Sequence, residues 1–420
     1  MIMTENTERK ERVILVAVCT GDEQETDVSL AELARLADTA GAMVVAKVKQ
    51  NREFPDPGTY VGSGKIEELR DMLEIFEADS IICDDELSPA QMKNLEDALD
   101  CPVADRTLLI LDIFAARAQT SEGKIQVELA QLKYRQAHLA GMRTYLSRQG
   151  GGIGTRGPGE KKLEIDRRLI EARIASLNRE LKEVEKHRNV IRTGRKKGGV
   201  KEAAIVGYTN AGKSTLLNTM TGAGVLSEDK LFATLDPTTR ILDLPDGSRV
   251  LLTDTVGFIR KLPHTLIDAF HSTLEEAVFA DYIIHVADAS SPEMEDQMDV
   301  VYSTLHELKA DGKPVVTIFN KMDKVSGSRH LHDRRADYVI RMSAKYGQGT
   351  DDFLKVMQKL LLRGQIHIER VIPYRNAGII AEIRSKGRLE REEYRPDGIA
   401  ISAFVPEDLY GILEGKEEKS

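Results

Sequence analysis

The chain has 420 residues, 41% of them hydrophobic, with a formal net charge of −9 and three cysteines. That length suits two or three domains rather than one core, and Cys19, Cys83 and Cys101 show no CxxC or CxH spacing, which argues against a disulfide framework or a structural zinc site. No stretch approaches the roughly 18 apolar residues of a membrane helix, and the polar start Met1–Lys10 is unlike a signal peptide, so a cytoplasmic protein without membrane insertion is expected, with at most peripheral contact to a membrane surface.

The first 140 residues alternate strand and helix. Residues 12–20 read as a buried strand, Ser29–Ala40 as a helix capped by the serine, and Ala42–Val48 as a second strand. Lys65–Phe76 follows as helix, Ser80–Cys83 as strand, Pro89–Leu99 as helix and Val103 as a short strand, and Thr107–Arg117 and Thr120–His138 then read as helices. Such alternation makes a small parallel α/β unit with helices on its faces. Cys19 and Cys83 fall in or beside its apolar strands and read as small buried hydrophobes. Tyr60-Val61-Gly62-Ser63-Gly64-Lys65 opens a helix whose N–H groups suit an anion, but it lacks phosphate-loop spacing; a second nucleotide site, a contact to RNA phosphate and a plain glycine turn all stay open.

Residues 141–200 have a different composition. Gly150–Glu160 holds six glycines and a proline, which no regular helix or central strand accepts; it reads as an extended loop that orders on a partner with Arg156 at its tip, or else as a flexible linker. From Glu160 to about Val190 the spacing of Leu163, Leu169, Ile170, Ile174, Leu177, Leu181 and Val184 predicts a long amphipathic helical arm folded beside the first domain. Arg143 to Lys201 carries 17 Lys and Arg against 7 Asp and Glu, an excess that points to a polyanionic partner. A solvated helix with alternating signs accounts for Lys161 to Arg188, but not for Arg143, Arg148 and Arg156 around the glycines, nor for Arg195, Lys196 and Lys197; these six are the candidate RNA-binding residues.

Residues 201–365 hold five motifs in a fixed order. Gly207-Tyr208-Thr209-Asn210-Ala211-Gly212-Lys213-Ser214 lies between an apolar strand and a helical segment, the context a phosphate loop requires. Its N–H groups would face phosphate, Lys213 would reach the β- and γ-phosphates and Ser214 would take a position on Mg²⁺. Leu231–Thr239, including Phe232, Ala233, Thr234, Leu235 and Asp236, is the candidate first switch; spacing prefers Thr234 as the second Mg²⁺ ligand without separating it from Thr238 and Thr239. Asp254-Thr255-Val256-Gly257 ends a strand, where Asp254 would act on the ion through water and Gly257 would donate its N–H to the γ-phosphate. Lys213, Thr234 and Gly257 are thus the candidate catalytic residues. Asn320-Lys321-Met322-Asp323 ends another buried strand, and Asp323 would accept two hydrogen bonds from N1–H and the 2-amino group of guanine; adenine would leave that carboxylate unpaired, so GTP and GDP are the expected ligands. Ser343-Ala344-Lys345 fits a loop whose backbone touches the guanine O6 edge.

Two departures bear on mechanism. Where many GTPases place a water-orienting glutamine after DxxG, this chain has Phe258, so intrinsic hydrolysis is expected to be slow and help to come from a partner surface, another domain or a monovalent cation. Asn210 either binds K⁺ beside the phosphates or serves only because asparagine tolerates positive φ. Beyond residue 365, Val371–Tyr374, Gly378–Ser385, Glu392–Tyr394 and Ile399–Val405 read as strands and Pro406–Leu413 as a helix, making a small α+β domain over 366–420.

Arg156-Gly157-Pro158-Gly159-Glu160 before a charged arm, the phosphate loop at Gly207–Ser214, Phe232-Ala233-Thr234-Leu235-Asp236-Pro237-Thr238, and Asp254-Thr255-Val256-Gly257-Phe258-Ile259 together resemble the HflX family of bacterial ribosome-associated GTPases. The resemblance implies an N-terminal domain that docks on the large ribosomal subunit, with the glycine-rich loop directed toward ribosomal RNA. It also implies a GTPase stimulated by ribosomes that splits or rescues stalled ribosomes under stress, and it supports Thr234 as the Mg²⁺ ligand. The fold expected is α/β: a P-loop GTPase domain with a mixed, mostly parallel sheet, preceded by a small α/β domain with a helical arm and followed by a small α+β domain, acting as a monomer. The rival readings are a GTPase in ribosome assembly or tRNA modification, and a GTP-regulated protein scaffold.

Overall fold

The computed structural model describes residues 9–149, 158–197, 200–222, 224, 230–263, 271–327, 330–406, 409–411 and 413. The first unit runs β1 (Arg12–Cys19), α1 (Glu23–Thr39), β2 (Met43–Asn51), α2 (Ser63–Ile75), β3 (Ser80–Cys83), α3 (Pro89–Leu99), β4 (Val103–Asp105) and α4 (Arg106–Arg117). Its sheet has the order β2-β1-β3-β4 and is parallel throughout. Helices on both faces explain why the strands read as continuous apolar runs: Val13 to Cys19 are all buried. Helix α3 begins where the sequence predicts, with Pro89 in its first turn and a reciprocal Ser88–Gln91 capping box.

The expected serine cap of α1 is not found. The helix begins six residues earlier, where the Asp22 side chain accepts from the Gln24 N–H. Ser29 is inside the helix and buried, its hydroxyl donating to Asp84 at 2.7 Å. The acidic stretch Asp22–Asp27 looks like loop in hydropathy, yet it carries a cap and favourable first-turn charges.

Two long helices, α5 (Ser121–Gln149) and α6 (Pro158–Lys197), pack together, with Arg173 bidentate on Glu128 and Gln136 reaching Glu171. At 40 residues α6 spans about 60 Å and carries the basic run as helix to Lys197. Arg188 on α6 pairs with Glu122 of α5 and with Glu275 of the unit that follows.

The next unit comprises β5 (Lys201–Gly207), α7 (Lys213–Thr221), β6 (Thr238–Asp243), β7 (Arg249–Asp254), α8 (His271–Phe279), β8 (Tyr282–Asp288), α9 (Met294–Glu307), β9 (Val315–Asn320), β10 (Tyr338–Arg341) and α10 (Thr350–Leu362). Its six-stranded sheet has the order β10-β9-β8-β5-β7-β6, with β6 alone antiparallel. The C-terminal ends of β5, β7 and β9 form one edge, where ligands bind in open α/β sheets.

A three-stranded antiparallel sheet, order β11-β13-β12, follows: β11 (Gln365–Ile372), α11 (Gly378–Lys386), β12 (Arg388–Arg395) and β13 (Gly398–Pro406). Gly378–Ser385, expected as strand, is helical. Ile379, Ile380 and Ile383 all point into one core with Ile368, Ile372, Ile399 and Ile401, a spacing that only a helix puts on one face. The sheet needs that covering layer, and the demand overrides the strand preference of isoleucine. Arg388 reaches Asp246 in the β6–β7 turn at 2.7 Å, tying this unit to the six-stranded one.

Among the described residues, no helix is long and apolar enough to cross a membrane.

Candidate nucleotide site

The phosphate loop joins β5 to α7. Gly212 is at φ 99°, and a Cβ there would lie 2.2 Å from Asn320 Nδ2, so only glycine allows the loop to close on β9. Asn320 uses that proximity twice: Nδ2 donates to Ala211 O at 2.9 Å, and Oδ1 accepts from Ala344 N at 2.9 Å. One side chain therefore ties the phosphate loop, the end of β9 and the Ser343-Ala344-Lys345 loop together. Asn210 sits at φ 61°, which asparagine tolerates, so a backbone reason for this residue exists whether or not a cation binds.

Lys213 is buried, and its ammonium donates to Gly207 O at 3.2 Å and Tyr208 O at 3.0 Å. Burial lowers its pKa to about 8, partly countered by Asp254 and reinforced by Lys321. The Ser214 hydroxyl donates to Asp254 Oδ2 at 2.7 Å and lies 2.7 Å from Thr234 Oγ1. These three residues come from a helix, a strand end and a loop, and their oxygens converge on one point. Asp254 Oδ1 is buried without a hydrogen-bond partner, and burial raises the carboxyl's pKa against Lys213, Ser214 and Thr234, which lower it. Hard oxygen donors around an unsatisfied carboxylate oxygen suit a magnesium ion. Thr238 and Thr239 belong to β6 instead, and Thr239 Oγ1 contacts Thr253 Oγ1 at 2.9 Å.

The segment after Asp254 is laced to the phosphate loop. Thr255 Oγ1 donates to Ile205 O at 2.8 Å, Phe258 N to Gly207 O at 3.1 Å and Thr209 N to Phe258 O at 2.7 Å. Val256 is buried, and a Cβ on Gly257 would lie 2.7 Å from Thr209 Cα and 3.0 Å from Lys213 Nζ, so this glycine abuts the lysine. Phe258 is 1% exposed and packs into a core that includes Phe114, Phe232 and Val256. At the base end, Asp323 lies in a short 3₁₀ turn and accepts from Ser343 Oγ at 2.5 Å, while Lys321 pairs with Asp288 at 2.7 Å. Met322 N donates to Met342 O at 3.2 Å, and Lys345 lies over the Tyr346 ring. Thr209, Asn210, Gly212, Lys213, Ser214, Phe232, Ala233, Thr234 and Gly257 line one concavity.

Arg156 lies outside the described residues, as do the side chains of Arg143, Arg148, Arg195, Lys196 and Lys197, whose backbone falls on α5 and α6.

Motif residues Tyr208, Phe232 and Asp236 join this site to N-terminal residues that no motif identifies. Tyr208 of the phosphate loop donates to Glu32 of α1 and accepts from Arg260 N at 2.9 Å. Glu32 also pairs with Arg106, which is 2.7 Å from Asp84, and Lys261 reaches both Asp84 and Asp85 at 2.6 Å. Burial raises Glu32's pKa, whereas Asp84 is held low because Arg106 and Lys261 outweigh its burial. Phe114 of α4 meets the Phe232 ring edge-on at 4.7 Å. Asp236 accepts from the N–H groups of Gln119 and Thr120 at 2.8 and 2.9 Å. The charges of Glu32, Asp84, Arg106 and Lys261 carried one signal in the sequence, namely ionisable residues placed in or beside apolar strands and helices, but the pairing partners lie too far apart along the chain to be read from it.

Three families match successive parts of the chain: one described as GTP-binding GTPase N-terminal over residues 27–115, one as GTP-binding GTPase Middle Region over 117–195, and one as 50S ribosome-binding GTPase over 202–321. The GTPase HflX of Lacrimispora saccharolytica is 59% identical over 414 residues, covering 98% of both chains. That of Escherichia coli is 39% identical over 402 residues, covering 94% of both. Among solved structures, a GTP-binding protein from the archaeon Sulfolobus solfataricus in complex with GDP is 24% identical with a TM-score of 0.45, covering 84% of this chain and 99% of that one. With a phosphate loop, an Asp-Thr-Val-Gly strand end and an Asn-Lys-Met-Asp turn on one sheet edge, and with relatives spanning almost its full length, this chain is a GTP hydrolase that belongs to the HflX family.

Proposed function

We propose that this GTP hydrolase binds the large ribosomal subunit in its GTP state, splits or rescues stalled ribosomes under stress, and is released when GTP is converted to GDP and phosphate. The observation that carries the reading is the seam between the first switch and the N-terminal domain, at Phe232–Phe114 and Asp236–Thr120. A nucleotide-dependent loop packed against the helices that bear the basic arm gives the arm access to nucleotide state. The family description of a 50S ribosome-binding GTPase supports the choice of partner. Arg143, Arg148, Arg156, Arg195, Lys196 and Lys197 would contact ribosomal RNA.

In the site, Ser214 and Thr234 would hold Mg²⁺ directly and Asp254 through water; the bound ion would offset charge on the β- and γ-phosphates. Lys213 would leave the Gly207 and Tyr208 carbonyls for the same phosphates, Gly257 N–H would donate to the γ-phosphate, and Asn320 and Asp323 would select guanine. Phe258 has no hydrogen-bonding group and packs in the core, so it cannot orient water, and the ribosome or a K⁺ ion at Asn210 would supply that assistance. The protein would act as a cytoplasmic monomer.

Sedimentation with 70S ribosomes and isolated large subunits, in GDP and in a non-hydrolysable GTP analogue, tests this reading. Analogue-dependent binding to the large subunit with loss of 70S is expected, weakening steeply with salt. Binding indifferent to nucleotide and salt would sink it in favour of a protein scaffold, and preference for tRNA or immature subunits would move it to modification or assembly.

A further inference from the structure

The first switch meets the N-terminal domain on both sides of Thr234. Two residues before it, Phe232 seats its ring on Phe114 in the last turn of α4. Two residues after it, Asp236 is docked on Gln119 and Thr120, the residues that lead into α5. Its Oδ2 accepts from Gln119 N at 2.8 Å and Thr120 N at 2.9 Å, and its Oδ1 accepts from Thr120 Oγ1 at 2.5 Å. The same Thr120 hydroxyl accepts from Gly123 N at 2.9 Å, so Thr120 caps α5 while Asp236 caps Thr120. A carboxylate beside the capping residue at the positive end of a 29-residue helix is a favourable electrostatic contact.

Gly123 shows that the helix is shaped around this contact. It sits in the first turn, where alanine would favour the helix more, and its backbone is outside the left-handed region. A Cβ there would nevertheless fall 2.3 Å from Asp236 Oδ1. A side chain at 123 would have to displace the Asp236 carboxylate.

We infer that the α4–α5 corner is the positioning element for the first switch: Thr120 and Gly123 seat Asp236, and together with Phe114 under Phe232 they hold Thr234 against Ser214 and Asp254. The contact works in both directions. A triphosphate that draws Thr234 onto magnesium strengthens the cap on α5, whose other end at Gln149 leads into the glycine-rich segment, and a partner that stabilises α5 in this seat raises affinity for GTP by the same factor. The inference rests on the reading of Thr234 as a magnesium ligand.

The test is equilibrium binding of a fluorescent non-hydrolysable GTP analogue and of fluorescent GDP to the full-length protein in Mg²⁺. Gly123→Ala and Asp236→Asn approach one contact from opposite domains. Each is expected to weaken analogue binding about tenfold, within the usual range of coupling between two sites, while GDP binding stays within about twofold. The double variant is expected to lose no more than the weaker single one, because both remove the same interaction. Analogue affinity unchanged in both singles, equal losses for GDP and analogue, or multiplying effects in the double would each overturn the inference. Retained GDP binding reports the fold, and if one variant does not fold the other decides. Thr234→Ala separates the two levels: if it too leaves the analogue unaffected, the magnesium role of Thr234 fails, whereas a loss there with none in the corner variants rejects the positioning role alone.

Discussion

Removing the phosphate-loop lysine should make the nucleotide-free protein more stable. The Lys213 ammonium is buried with a pKa lowered to about 8 from 10.5, and its two hydrogen bonds go to Gly207 and Tyr208 carbonyls. Those carbonyls keep other donors, Phe258 N at 3.1 Å and Ala211 N at 3.2 Å, so Lys213→Met leaves neither unsatisfied. The sign follows from proton counts. Between pH 8 and 10.5 the unfolded chain holds a proton on this lysine that the folded chain does not, so stability rises with pH across that window, and the cost of burying the charge is present in full below it. The shift corresponds to a cost of about 3 kcal/mol at pH 7, falling to about 2 at pH 9 and about 1 at pH 10. Urea unfolding of the nucleotide-free wild type and Lys213→Met at these three pH values should show the variant more stable by those amounts, with hydrolysis abolished. GTP binding at pH 8 should take up a proton, seen as a buffer-dependent heat, because phosphate restores the ammonium. A variant no more stable than wild type at pH 7, or a difference that does not shrink with pH, would refute the reasoning.

Asp323→Asn should move preference from guanine to xanthine nucleotides by several orders of magnitude, since the side chain then meets the purine 2-position as a donor; competition binding with GDP and XDP reads it. Phe258→Gln should not accelerate single-turnover hydrolysis, because position 258 faces the core, and Phe258→Ala should destabilise by about 3–5 kcal/mol in chemical unfolding. Arg106→Met leaves buried Asp84 with Lys261 and the Ser29 hydrogen bond, and largely buried Glu32 with Arg260 and the Tyr208 hydrogen bond, so a loss of about 3–5 kcal/mol is expected, and a loss under 1 kcal/mol would show that the cluster is not a buried ionic network.

What the sequence determined here is the chemistry of short motifs and the strands that carry them. Gly207–Ser214, Asp254–Gly257 and Asn320–Asp323 are short backbone segments whose chemistry follows from residue type at fixed spacing, and the apolar runs before them predict the strands that carry them. The parallel N-terminal unit was legible for the same reason, since strands covered on both faces must be apolar throughout. The start of α1 was missed because an acidic first turn has no hydrophobic signature, and α11 because three isoleucines read as strand until a sheet needs covering. Spacing preferred Thr234 and the family resemblance supported it, while tertiary structure separated it from Thr238 and Thr239, which lie where the chain turns into β6. Tertiary structure alone placed Asp236 on Thr120, Tyr208 on Glu32 and Lys261 on Asp84. Each of these pairs joins residues more than a hundred positions apart, and no periodicity or spacing in one chain encodes a contact made only when two domains pack.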